Sequence, residues 1–188
     1  PYNDPLVIAG QGSIGLEILD QLWDVDTVIV PVGGGGLITG IATVLKHFNP
    51  YIHIVGVQSE NVHGMTASLQ AGKLTRQCTG PTLADGTAVA MPGNITFGLA
   101  EELVDEMVLV SEEEIAEAMK DLLQRTKTVA EGAGALPTAA LEAHKIAPQW
   151  LAGKKVVALV SGGNVDLERV ADNIDHFFKS DPTGHFIG

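Results

Sequence analysis

The chain is poor in cysteine: Cys78 stands alone among 188 residues. An internal disulfide is therefore excluded, and a reducing, cytoplasmic setting is the expectation. Positive charge is scarce as well, with 11 Lys and Arg against 23 Asp and Glu and a formal net charge of −12. That balance leaves no basic footprint for a nucleic acid or an anionic membrane surface. The six histidines, at 47, 53, 63, 144, 176 and 185, form no H-E-x-x-H pair and have no partnering cysteines, so no metal site is expected. One uncharged run, from Thr27 to Leu45, has 19 residues. Pro31 and the glycines from Gly33 to Gly36 interrupt it and would leave backbone groups unpaired in lipid, so it reads as strand, loop and helix rather than a membrane span. Asp4 breaks the start of the chain, and no basic region precedes an apolar one, so no secretory leader is expected there.

What remains is a composition of 45% hydrophobic and 18% charged residues, which suits a well-buried globular unit rather than a disordered one. Short β-branched runs alternate with segments of helical period, the pattern of an α/β fold with an open, mostly parallel twisted sheet and helices on both faces. The strands are expected at Thr27 to Val30, His53 to Val57, Met107 to Val110 and Val156 to Val160. Helices are expected over Ile14 to Leu22, Ile38 to Phe48 and Glu112 to Lys127. The last is introduced by Ser111 and Glu114 as a capping box. Thr75 to Gly98, rich in Gly, Pro and Thr, reads as a long ordered loop over a site. The Gly/Ala-rich stretch Ala130 to Ala143 is expected to turn helical near Leu136. Residues 1–179 are expected to form one unit and 180–188 a frayed tail.

Three glycine motifs compete for chemistry. Gly10-Gln11-Gly12-Ser13-Ile14-Gly15 matches a dinucleotide fingerprint, but positions 28 to 32 read Val-Ile-Val-Pro-Val, with no acidic residue for a ribose. These glycines are expected to make a tight turn that starts a helix. Gly33-Gly34-Gly35-Gly36-Leu37 lies directly between a strand and a helix, where bare N–H groups and the helix's positive end can cradle one phosphate. Ile38-Thr39 in place of Lys-Ser/Thr argues against a nucleotide-triphosphate loop. Ser161-Gly162-Gly163-Asn164 follows another strand, so two glycine-bearing strand ends can face one ligand. Glu101, Glu102, Asp105 and Glu106, like Glu112 to Glu114, read as solvated edges.

These motifs, with Gly56-Val57-Gln58-Ser59-Glu60-Asn61, Leu83-Ala84-Asp85-Gly86 and Glu131-Gly132-Ala133-Gly134-Ala135, resemble the fold type II pyridoxal-phosphate enzymes. Within them the resemblance is to the threonine dehydratases (threonine ammonia-lyases), and Gln58 to Met65 is most similar to the catabolic form. The resemblance implies that Gly33, Gly34, Gly35, Gly36 and Leu37 bind the phosphate of pyridoxal 5'-phosphate and that Ser161 meets its pyridine nitrogen. It implies deamination of L-threonine, and of L-serine, by β-elimination to 2-oxobutanoate or pyruvate and ammonia. It also implies a homo-dimer or tetramer and a nucleotide effector, AMP or CMP, near Asn164. Some relatives hold a cation near the strand ending at Val57, but Gln58 stands where their acidic residue is expected, so no metal is implied.

The family's catalytic lysine lies in a Ser-x-Lys-x-Arg-Gly context, and none of the eight lysines here, at 46, 73, 120, 127, 145, 154, 155 and 179, matches it. That lysine, the carboxylate loop and a smaller domain are therefore expected upstream, in an N-terminal part of the same enzyme. No catalytic residue is assigned within this chain, which by itself is expected to be inactive. Two alternatives stand beside the dehydratase: a serine racemase or serine dehydratase, and a non-catalytic nucleotide-binding or oligomerisation module.

Overall fold

Asp4 opens the first helix, its Oδ1 accepting from the N–H groups of Leu6 (2.8 Å) and Val7 (3.3 Å), with Pro5 in the first helical position where no N–H is needed. This computed structural model describes residues 2–166; the expected tail at 180–188, and the end of the expected 1–179 unit, lie outside them. The helices are α1 (Pro5–Gln21), α2 (Gly36–Phe48), α3 (Gly64–Ala71), α4 (Asn94–Leu103), α5 (Glu112–Asp121) and α6 (Gly132–Glu142). The strands are β1 (Thr27–Pro31), β2 (His53–Ser59), β3 (Glu106–Val110) and β4 (Val156–Ala158). All strand pairs are parallel, in the order β3-β2-β1-β4.

Alternation along the strands divides the core into two layers. Ile29, Val55, Val57, Val108 and Val110 pack with Ile115 and Met119 of α5 and Leu136 of α6. Val28, Val30, Val32 and Ile54 pack on the other face with Ile18, Ile38, Ile41 and Leu45 of α1 and α2. Each fully buried aliphatic side chain contributes about 1.5–3 kcal/mol by leaving water, and burial on both faces is what β-branched parallel strands require. Among the described residues no helix is long and apolar enough to cross a membrane.

Several expectations are corrected. The G-x-G-x-x-G stretch does not start a helix; it lies inside α1, which begins at Pro5. A Cβ on Gly12 would stand 3.0 Å from Val44 Cγ2, and one on Gly15 would stand 3.1 Å from the Ile41 carbonyl oxygen. These glycines let α1 lie directly on α2, so the motif serves helix packing. The expected loop Thr75 to Gly98 is ordered, but it turns helical from Asn94. The capping box at Ser111 and Glu114 is present, yet the regular helix ends at Asp121 and a π turn over Leu122–Thr126 follows. α6 starts at Gly132 rather than near Leu136, and β4 stops at Ala158 rather than Val160.

The outer face of α5 and α6 carries a like-charge group. Burial, and then Asp121 and Glu117, push the Glu142 carboxyl above the usual range. A carboxyl raised in the folded state favours folding below its ordinary range and opposes it once pH rises through the folded value. Glu142→Gln should therefore raise Tm by about a degree or two at pH 7.5, a small gain because Glu142 is solvent-facing and screened, and the gain should vanish near pH 4. Paired thermal melts check this; an equal gain at both pH values would remove electrostatics as its cause.

Candidate functional site

The glycine loop begins where β1 runs out of partners. Val32 N–H donates to the Val57 carbonyl (2.9 Å), and the chain then leaves the sheet through Gly33–Gly35 into α2. Gly35 has φ +95°, a left-handed conformation that disfavours a side chain. Its carbonyl accepts from Thr39 N–H (3.1 Å) and Thr39 Oγ1 (2.7 Å). The Gly34 carbonyl accepts from Thr96 Oγ1 (2.6 Å). With these carbonyls fixed, the N–H groups from Gly33 to Leu37 are left over: within the described residues none of the five is paired with a backbone acceptor. Unpaired donors ahead of a helix N-terminus can hold an anion.

Every glycine of the loop has a close neighbour. A Cβ on Gly33 would lie 3.0 Å from Thr87 Cα, one on Gly34 would strike the Tyr2 ring, and one on Gly36 would lie 3.0 Å from the Tyr2 carbonyl oxygen. Tyr2 is set in place by donating from its hydroxyl to the Met91 carbonyl (3.3 Å). Asn3 Oδ1 accepts from Ile95 N–H (3.0 Å) and caps α4, which carries Thr96. An open cleft of about 600 Å³ borders this segment, lined by Tyr2, Asn3, Arg76, Met91 and Asn94.

The other motifs reach the same end of the sheet. β4 pairs with β1, and Leu159 N–H donates to the Ile29 carbonyl (3.0 Å), so Ser161 to Asn164 emerge beside the glycine loop's strand. Glu131 N–H donates to the Gly162 carbonyl (3.1 Å), and Glu131 Oε1 lies against Gly162. Gly86 faces Ala133, whose Cβ would be 3.3 Å from a Cβ there. Ser161 and Asn164 are exposed. Among the described residues no group of three or more His, Cys, Asp or Glu side chains could hold a metal ion.

Glu112 is not the solvated edge expected of it. Its carboxylate accepts from Ser59 Oγ (2.6 Å) and Leu83 N–H (2.6 Å), tying the end of β2 to the segment before Ala84. Glu114 completes the capping box and pairs with Lys145 (2.9 Å). Asp105 belongs to the opposite end of the sheet, where it binds Lys46 (2.7 Å) and accepts from Ile54 N–H (2.7 Å). Tyr2, Asn3, Thr96 and the Glu131 carboxylate were not legible as parts of the site, because nothing local marks residues that meet the loop only after folding.

The pyridoxal-phosphate dependent enzyme family model matches residues 1–162. Over 176 residues the chain is 63% identical to the L-threonine dehydratase catabolic TdcB of Staphylococcus aureus (strain N315), covering 94% of this chain and 51% of that protein. The chain thus spans about half the length of the curated relatives it matches. The solved T.th. threonine deaminase superimposes with a TM-score of 0.80 at 42% identity, over 87% of this chain and 60% of that one. The processed threonine deaminase isoform 2 of Solanum lycopersicum gives 0.83 at 40%, over 92% and 50%. By the extent of that match, and with its glycine loop and Ser-Gly-Gly-Asn segment at one end of a parallel sheet, this chain belongs to the pyridoxal-phosphate dependent enzymes.

Proposed function

We propose that this chain forms the cofactor-binding part of an enzyme that deaminates L-threonine, and also L-serine, giving 2-oxobutanoate or pyruvate and ammonia. The observation that carries this reading is the set of five N–H groups from Gly33 to Leu37 that have no backbone acceptor among the described residues, next to the strand end that bears Ser161. The loop suits a phosphate monoester because its donors are backbone groups with no side chain between them and an anion. The bound cofactor supplies an electron sink for the substrate's α-carbon. Gly33 to Leu37 hold and orient its phosphate, and the Ser161 hydroxyl meets the ring nitrogen as a neutral partner, which moderates the sink and suits elimination. Lys46, Lys154 and Lys155 are paired with Asp105, Asp26 and Asp24, residues that precede strands and so lie away from this end. A catalytic lysine from an N-terminal part of the whole protein is the corresponding proposal. The relatives' names support threonine as substrate. The motif resemblance alone is the ground for proposing a cytoplasmic homo-oligomer and an AMP or CMP effector near the exposed Asn164.

The test is a product analysis on the whole protein supplied with pyridoxal phosphate. Ammonia and 2-oxobutanoate should form from threonine in equal amounts. The solved maize serine racemase, with a TM-score of 0.82 at 35% identity, sustains a second reading. D-serine from L-serine without threonine turnover would replace the first reading with it.

A further inference from the structure

We infer that Gln58 is the positioning residue of the glycine loop and gives the loop its preference for a phosphate-bearing ligand. This rests on the proposed cofactor site. Gln58 is fully buried near the end of β2. Its Nε2 donates to the Val32 carbonyl (3.1 Å), the last carbonyl before Gly33. Its Oε1 accepts from both Thr66 N–H (2.9 Å) and Thr66 Oγ1 (2.9 Å) in the first turn of α3.

Each bond replaces something the backbone lacks. β1 ends at Pro31, and beyond Val32 the chain must leave the sheet, so the Val32 carbonyl is held by a side chain where the ladder gives out. His63, the residue before α3, gives no side-chain cap, so Gln58 satisfies an N-terminal N–H from a neighbouring strand. The consequence reaches the loop twice. Val32 fixes where Gly33 starts, and α3 holds Met65, whose Cε would stand 2.5 Å from a Cβ on Gly35. One buried amide thus sets both the entry of the loop and the packing under its left-handed residue. A buried side-chain amide bonded at both ends has one orientation, which is what pre-organised donors need.

The test compares pyridoxal phosphate with pyridoxal, which lacks the phosphate, by equilibrium dialysis on the whole protein. Free pyridoxal closes to an internal hemiacetal that the phosphate ester cannot form, but this and any lysine linkage are the same for every variant, so the change of the affinity ratio on substitution reports the loop. Gln58→Met keeps the length without the hydrogen bonds, and Gln58→Glu keeps the acceptor but turns an oxygen towards the Val32 carbonyl. Both should lower the ratio by roughly tenfold or more while pyridoxal binding stays within about twofold of wild type. Phosphorus NMR of the bound phosphate should show a shifted or broadened resonance. An unchanged ratio in Gln58→Met, or an equal loss for both ligands, would overturn the role, as would a loss confined to Gln58→Glu, which would reduce it to charge repulsion. If the Gln58 variants do not fold, Thr66→Val removes one donor from the same network. It should lower the ratio by about threefold, with Thr66→Ser restoring it, and no change would also overturn the inference. A wild type that binds the two ligands alike would instead sink the phosphate site itself.

Discussion

Gly40→Val should remove about 3 kcal/mol of folding stability, near the upper end of overpacking costs. A Cβ at this position would drive into the Ile8 carbonyl oxygen and come within 2.8 Å of Gln11 Cβ and 3.0 Å of Gly12 N. Two of those three atoms are backbone, so no rotamer change relieves them, and α1 must move away from α2. That movement also opens the contacts of Gly12 and Gly15 with Val44 and Ile41. For a chain of this size the loss corresponds to a Tm lower by about 6–12 °C in a thermal melt. Gly10→Ala is the internal control. It lies in α1, the partner helix of the same pair, with nothing within 4 Å of its added Cβ, so it should stabilise by about 0.5–1 kcal/mol through helix propensity alone. If both variants melted like wild type, close approach at Gly40 would not set the spacing of these helices.

The same helix pair shows where sequence reading reached its limit. Four apolar runs rich in β-branched residues locate the four strands of the described residues: β1 and β2 are buried along their whole length, the edge strands β3 and β4 are half-buried yet keep the same character, and the residues around each run break the pattern. The glycines at 10, 12 and 15 do not reveal their place, because a glycine spaced for a turn and one spaced for a helix contact look alike until the partner helix is known. α3 leaves no local signal: Gly64–Ala71 is short, and its first turn is supported by Gln58 rather than by a local cap. α4 begins after Pro92 and Gly93, signals of a loop, and is capped by Asn3, distant in sequence. Within the candidate site, Gly33 to Leu37 are legible because four glycines between a strand and a helix have few other uses. The residues that shape the loop, Tyr2, Gln58 and Thr96, are not, since each acts on a carbonyl or glycine supplied by another element.

Gly35→Val is expected to weaken pyridoxal phosphate binding to the whole protein by about a hundredfold or more, equivalent to about 3 kcal/mol. The backbone at Gly35 has φ +95°, where a β-branched residue is strained by about 1–3 kcal/mol. Its Cβ would also meet Met65 Cε at 2.5 Å and Thr96 Cβ at 3.0 Å. Met65 Cε can swing aside, but the backbone strain is relieved by rotating Gly35 out of the left-handed region. That rotation would break the carbonyl's bonds to Thr39 and turn the neighbouring N–H groups away from a common point. Hydrogen bonds to a charged acceptor are worth about 1.5–3 kcal/mol each, so misdirecting even one or two accounts for the loss. Stability of the ligand-free protein should fall far less than binding, because the relaxed loop no longer carries the strain. Calorimetric titration with the cofactor, beside a melt of the ligand-free variant, separates the two. Affinity within threefold of wild type in a folded variant would mean that the phosphate is not held by the N–H groups that Gly35 orients.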